Sequence, residues 1–215
     1  TRRLESETQE LANGLGINND ILKELCVTTP IGDNHSMQFP VFLYNQLMDI
    51  RTYTPGGHPK MKSRTGSMNG LFIPYDLWVE TPENLVTVIC AGEKDMAVAR
   101  SHGLNAITLT GGEEALPRIT SAFKNRIIAI CYDNDDAGKK GAKHLANELT
   151  KYTAYVKNIT GFHEVCNNDK EDITDFFVKY GKTKEDLVAY IKATPFYTPD
   201  PEAEKQTHYQ MCDLY

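Results

Sequence analysis

Apolar and polar residues change their spacing along the chain, and each change marks a different kind of element. Over residues 1–30, Leu4, Leu11 and Leu15 share a helical face, and Gly14 and Gly16 interrupt it. Asn19-Asp20 can cap a second turn through Leu22 and Leu25, before Pro30 and Gly32 break the pattern. From Met37 to Lys62 the texture is that of strands, with Phe39, Val41, Phe42 and Tyr44, then Ile50, Thr52 and Tyr53. A Pro55-Gly56-Gly57 turn leads into Lys60-Met61-Lys62, which predicts a hairpin. Residues 63–80 are punctuated by Gly, Ser and Pro, and Thr81-Pro82 makes a boundary.

Beyond it, strands and helices alternate. Val86 to Cys90 is a continuous apolar run, as a strand buried on both faces requires. Helical spacing over Glu93–Ser101 (Met96, Val98, Ala99) stops at Gly103, a second strand spans Ala106–Leu109, and Gly111-Gly112 closes it. A helix is predicted over Glu114–Phe123, a third strand over Ile127–Cys131, a long helix from about Ala137 to Lys151 and a fourth strand over Ala154–Val156. Two further helices fall near Ile173–Tyr180 and Lys184–Lys192. Repeated strand-then-helix units imply an α/β fold with a parallel sheet, flanking helices and right-handed crossovers. The expected division is a smaller basic α+β subdomain over residues 1–80, a Rossmann-like domain over 81–194, and a Pro-punctuated tail or linker over 195–215.

Composition adds constraints. At 215 residues, with 40% hydrophobic and 24% charged positions, the chain can build a packed core. No apolar run approaches the roughly 18 residues of a membrane span, and the start has no signal-peptide shape. The chain begins without Met, which suggests a piece of a longer protein. Its five cysteines are scattered with no C-x-x-C pair, so neither a zinc ribbon nor a disulfide framework is encoded, and a reducing cytoplasm fits best. Cys90 and Cys131 sit in strand-like runs, where a reduced cysteine is a small core residue. Net charge is −6, against a nucleic-acid partner at first sight, yet residues 50–75 hold Arg51, Lys60, Lys62 and Arg64 and no Asp or Glu. A chain segregated in this way can grip phosphates with one region and hold metal ions with another.

In an open parallel sheet, ligands bind beyond the carboxyl ends of the strands. Glu93 falls there, past the Ala91-Gly92 turn, and so do Asp133 and Asp135, just past the strand ending at Tyr132. Positions i and i+2 can project to one side, so Asp133 and Asp135 could share a cation, and hard oxygen ligands of this kind suit Mg²⁺. The same residues also have a simpler use: Asp-Asn-Asp-Asp before a helix is a good N-cap, and a lone Glu at a helix start is favoured by the dipole. Lys94 and Lys139 read as solvated helix charges, and Leu71-Phe72 and Trp78 as packing rather than base-stacking platforms.

Here the motifs carry a resemblance. Val88-Ile89-Cys90-Ala91-Gly92-Glu93-Lys94-Asp95-Met96 resembles the first motif of the Toprim family, with Ala91 where the family often has glutamate. Ile128 to Gly138, with Asp133-Asn134-Asp135-Asp136-Ala137-Gly138, resembles the second motif in the form typical of primases, and Ala106–Gly112 is similar to the intermediate strand and turn. Lys170-Glu171-Asp172-Ile173-Thr174-Asp175 is similar to a Lys-Asp-x-Asn-Asp segment of the same primases, with Glu171 inserted. Upstream, Phe39-Pro40-Val41-Phe42, Arg51-Thr52-Tyr53 and Pro59-Lys60-Met61-Lys62-Ser63 resemble the stretch before Toprim in bacterial and phage primases. The Toprim likeness covers roughly residues 84–180.

The resemblance implies a DNA primase core that makes short RNA primers on single-stranded DNA from ribonucleoside triphosphates, with Mg²⁺ (or Mn²⁺). It implies Glu93 as the metal-linked acid or base, Asp133 and Asp135 as metal ligands, Asp172 at a second metal and Asp95 in support; for Asp172 and Asp175, helix capping before Phe176 is the simpler alternative. Arg51, Lys60, Lys62 and Arg64 would face the metal site and hold the triphosphate or template backbone. No G-x-x-x-x-G-K-[ST] occurs, so a helicase motor, fused or separate, is expected downstream and any zinc ribbon upstream. A Toprim nuclease and a non-catalytic DNA-binding or loading module are the alternatives.

Overall fold

A computed structural model describes residues 6–33, 35–161, 165–166 and 168–199, so Leu4 and the tail from residue 200 lie outside the described residues. Two short helices open the chain, α1 (Ser6–Gly14) and α2 (Asn19–Glu24). The Asn18 side chain, one residue earlier than expected, caps α2 by accepting from the Ile21 amide at 2.9 Å. An antiparallel sheet follows, ordered β1 (Met37–Leu43), β2 (Gln46–Tyr53), β3 (Met61–Lys62). Tyr44 and Asn45 both take positive φ at the β1–β2 turn, which suits the twist of a two-residue hairpin. Pro40 is tolerated because β1 is an edge strand. The expected hairpin to Lys62 is present, with Thr52 opposite Lys62 and Tyr53 opposite Met61.

The second sheet runs β4 (Phe72–Ile73), β6 (Asn105–Leu109), β5 (Thr87–Cys90), β7 (Ile128–Cys131), β8 (Val156–Asn158). Strands β6, β5, β7 and β8 are parallel, whereas β4 pairs antiparallel with β6 at the edge. Helices α3 (Tyr75–Val79), α4 (Glu93–Ser101), α5 (Asp136–Leu149) and α6 (Lys184–Ala193) accompany it. Successive residues of β5 and β7 feed opposite cores: Val88, Cys90, Ala129 and Cys131 pack on one face and Ile89, Ile128 and Ile130 on the other. That two-sided burial is why these strands read as unbroken apolar runs. The first core also takes in Phe39, Val41 and Tyr53, so it continues across residue 81 into the antiparallel sheet.

Two sequence expectations need correction, and two elements were not expected. The Glu114–Phe123 segment is not an α-helix; only Thr120–Phe123 forms a 3₁₀ turn. Pro117 opposes a helix there, and Arg118 donates its amide to Gly70 O at 2.9 Å, tying the segment to the β4 entry. The last parallel strand is displaced from 154–156 to Val156–Asn158. Finally, β4 and α3 carry no periodic signal because they are too short, yet they bring Phe72 and the fully buried Trp78 against Phe123. Both aromatic residues pack, as the sequence suggests, and the Trp78 indole donates to Thr87 Oγ1 at 3.0 Å.

The strand order places the site. The chain leaves β5 through α4 toward β6, whereas it leaves β7 through α5 toward β8 on the opposite side. Diverging connections open a crevice at the carboxyl ends of β5 and β7.

Candidate metal centre

The first turn of α4, just past β5, splits three neighbouring charges in two directions. Glu93, 2% exposed, ion-pairs with Arg51 of β2, itself 7% exposed. Arg51 Nη1 also donates to Ser63 Oγ. Asp95 turns instead toward the crevice, where its Oδ1 accepts from Thr174 Oγ1 at 2.7 Å. Between them Lys94 reaches into the crevice, its Nζ 3.0 Å from Asp95 Oδ1 and 2.7 Å from Asp172 Oδ2.

Asp133 enters from the end of β7, at the adjacent strand, because Cys90 and Cys131 are in register. Gly138 lets α5 start close behind it: a Cβ at that position would lie 2.2 Å from the Asp133 carbonyl oxygen. Asp135 caps α5, its Oδ1 accepting from the Gly138 amide at 2.8 Å.

Asp172 arrives from a distant stretch of chain, and Asn134 is what draws it in. The Asn134 amide donates to Glu171 O at 2.8 Å, and its side-chain amide donates to Cys166 O at 2.8 Å and Asn168 O at 3.2 Å. Glu171, the inserted residue, is buried and anchored by Lys179, Tyr180 and Asn168. Asp172 and Asp175 then exchange backbone-to-carboxylate hydrogen bonds at 3.2 and 3.0 Å, so the capping geometry is present and still leaves Asp172 Oδ2 directed at the crevice.

The outcome is a trio, Asp95, Asp133 and Asp172, each offering an oxygen within 4.8 Å of the others. Glu93 and Asp135 stand at the same rim, each with one carboxylate oxygen engaged elsewhere, Glu93 Oε1 by Arg51 and Asp135 Oδ1 by the Gly138 amide. Crowding shows in the titration of the acids. Burial, then the charges of Asp95, Asp172 and Glu113, pushes Asp133 up to about 8. Asp95 is raised by burial and by Asp172, against the pull of Lys94. Burial also raises Glu93, against Arg51. An all-carboxylate, hard-oxygen donor set suits a divalent cation, and the Lys94 ammonium already stands among those oxygens as a cation would.

Among the comparisons with known proteins, a Toprim-like family model matches residues 88–176. Over these residues the fold is Toprim-like. Solved structures extend the likeness upstream of them at the level of fold. The Aquifex aeolicus primase zinc-binding and RNA polymerase domains share 15% identity at a TM-score of 0.70, over 90% of this chain and 57% of that one. The catalytic domain of the DnaG primase bound to single-stranded DNA shares 13% at 0.67, over 91% and 76%. The primase fragment of the bacteriophage T7 primase-helicase shares 14% at 0.65, over 83% and 71%. The chain thus spans little more than half of the Aquifex chain. No curated protein matches in sequence.

The cations of the antiparallel sheet divide between its faces. Asp49, Arg51 and Tyr53 are buried on the face turned to the Toprim rim, with Tyr53 in the field of Lys94, Asp95 and Asp172. Lys62, opposite Thr52, turns the other way and lines a polar groove with Arg64, Gln38, Thr52 and Thr54. Lys60 is exposed. Arg51 therefore faces the rim, and Lys62 and Arg64 look onto the outer groove.

Four residues around the site are not assigned to it by the sequence. Lys94 is not a solvated helix charge but 19% exposed and doubly paired, whereas Lys139 is exposed as expected. Glu113, half-buried, accepts from the Asp133 amide at 3.4 Å, and its position just past β6 is the strand-end signal that singled out Glu93. Thr174 and Asp49 carried no such signal. Asp49 is 2% exposed, and its Oδ2 has no hydrogen-bond partner among the described residues.

Proposed function

We propose that this chain is the catalytic core of a DNA primase, of the bacterial kind or the phage and mobile-element primase-helicase kind, making short RNA primers on single-stranded DNA. The observation that carries this reading is the convergence of Asp95, Asp133 and Asp172 at the switch point of a Toprim sheet, in a fold shared with primase catalytic domains. The trio would hold Mg²⁺, or Mn²⁺ in its place. A bound ion would neutralise the triphosphate and stabilise charge developing at its phosphorus.

The reaction joins the 3′-hydroxyl of one ribonucleotide to the α-phosphate of the next, with pyrophosphate leaving. The protein's share is positioning and charge neutralisation. Glu93, expected as an acid or base, acts through Arg51 by holding its guanidinium at the rim, and Asp135 fixes the start of α5 so that Asp133 is presented. Lys62 and Arg64, with Lys60 nearby, supply cations for the template backbone along the outer groove. A replicative helicase, fused or separate, is the natural partner of such a core, and the cytoplasm its setting; among the described residues no helix is long and apolar enough to cross a membrane.

Ribonucleotide incorporation on single-stranded templates tests the reading. The wild type should incorporate in a Mg²⁺- or Mn²⁺-dependent way, and Asp133→Ala should lose at least about a hundredfold, the scale of removing a principal electrostatic group. Equal incorporation by both proteins, or nicking of DNA without incorporation, contradicts it.

A further inference from the structure

Lys94 is the residue that the proposed reaction does not use and the geometry does not leave idle. Its side chain lies on the first turn of α4, 19% exposed, with Nζ between Asp95 Oδ1 at 3.0 Å and Asp172 Oδ2 at 2.7 Å. Both acids have further partners. Asp172 Oδ1 accepts from the Asp175 amide, and Asp95 Oδ1 also accepts from Thr174 Oγ1. The Asp172 oxygen that faces the trio is therefore the one Lys94 holds. A divalent ion gathers carboxylate oxygens at roughly 2.0–2.6 Å, closer than the ammonium now stands, and two cations sharing the same oxygens repel strongly in a partly buried site.

We propose that Lys94 is an internal counter-ion that a divalent cation must displace. In the metal-free protein it offsets part of the repulsion among three clustered carboxylates. When an ion enters, its flexible four-carbon stem carries the ammonium off Asp172, and the ion inherits the vacated oxygen. Metal loading is accordingly weaker than the three acids alone would give, and it is coupled to a rearrangement at the start of α4. This inference rests on the trio being a metal site, as proposed above.

Mn²⁺ binding, followed by electron paramagnetic resonance of the free ion and by the shift in Tm, tests it without reference to catalysis. The proteins compared are wild type, Lys94→Met, Lys94→Gln, Lys94→Arg and Asp133→Asn. Displacement predicts that Lys94→Met and Lys94→Gln bind Mn²⁺ at least about tenfold more tightly than wild type, equivalent to ~1.4 kcal/mol. It also predicts a lower Tm for both in chelator and a larger Tm gain on adding Mn²⁺, while Lys94→Arg stays close to wild type. Lys94→Gln keeps a polar group beside Asp172, so the comparison survives if the Met variant folds poorly. Unchanged or weaker Mn²⁺ binding by the Met and Gln variants, with Asp133→Asn still losing the ion, overturns displacement and leaves the metal site standing. Mn²⁺ binding that is the same in Asp133→Asn as in wild type overturns both.

Discussion

Arg51 and Lys94 are both cations held among acids at the junction of two sheets, and they are held in different ways. Arg51 belongs to the antiparallel sheet. It meets Glu93 in a pair where both side chains are almost wholly buried, with Ser63 Oγ accepting a further guanidinium hydrogen bond. Lys94 belongs to the rim of the parallel sheet and serves two acids of a trio, so the site keeps an excess of negative charge. A balanced buried pair is a joint between the two sheets. An unbalanced cluster with a movable ammonium is a place for another cation. The lesson is that acids two positions apart on one helix, Glu93 and Asp95, acquire different work from the side of the crevice they face.

The comparison can be broken first at the joint. Arg51→Met leaves Glu93 buried without its partner, and breaking a buried pair on one side costs on the order of 3–5 kcal/mol. Thermal unfolding should show a Tm lower by about 10 °C, at ~2–4 °C per kcal/mol for a chain of this size. A drop of only a degree or two would mean that the pair is not the joint described.

At the rim the sign reverses, because an acid there opposes folding when charged. In the folded chain Asp133 titrates near 8, against 3.8 as the ordinary value. Its contribution to stability is thus fully present below about pH 4 and is lost as the pH climbs toward 8. Metal-free wild type should lose Tm between about pH 5 and 8 more steeply than Asp133→Asn, by a few degrees, and Mg²⁺ at pH 8 should recover the loss in wild type only. Parallel pH profiles for the two proteins would contradict the crowding of carboxylates.

The smallest effect belongs to the outer groove. Lys62→Ala with Arg64→Ala should weaken single-stranded DNA binding several-fold, without sequence preference. It should also flatten the salt dependence by roughly 0.7 in log–log slope for each phosphate no longer neutralised. An unchanged slope would remove the groove from the template path.

Most of the α/β architecture was legible because β5, β6 and β7 are buried on both faces and α4 begins at a glycine turn, so periodicity and burial point the same way. What escaped was short or tertiary. The edge strand β4 holds two residues, too few for any period, and Pro117 stopped the helix that the 114–123 pattern suggests. In the site, strand-end position was enough to find Asp133. It could not say that Glu93 would turn to Arg51, since that depends on β2 packing against α4. Nor could spacing show that Asn134 clamps Cys166, Asn168 and Glu171 onto the β7 loop, the interaction that carries Asp172 to the trio. Lys94 was hidden for the same reason, because a lysine on a helix start is buried only if acids from elsewhere come to meet it.

On this reading Asp95, Asp133 and Asp172 together should hold a divalent cation at the β5–β7 switch point. Crystals of the protein soaked in Mn²⁺, measured at a wavelength where manganese scatters anomalously, test it directly. The expected result is an anomalous peak bonded to oxygens of those three carboxylates, with the Lys94 ammonium moved off Asp172. A peak built on Glu93 or Asp135 instead, or no peak among the three acids at saturating Mn²⁺, would contradict it.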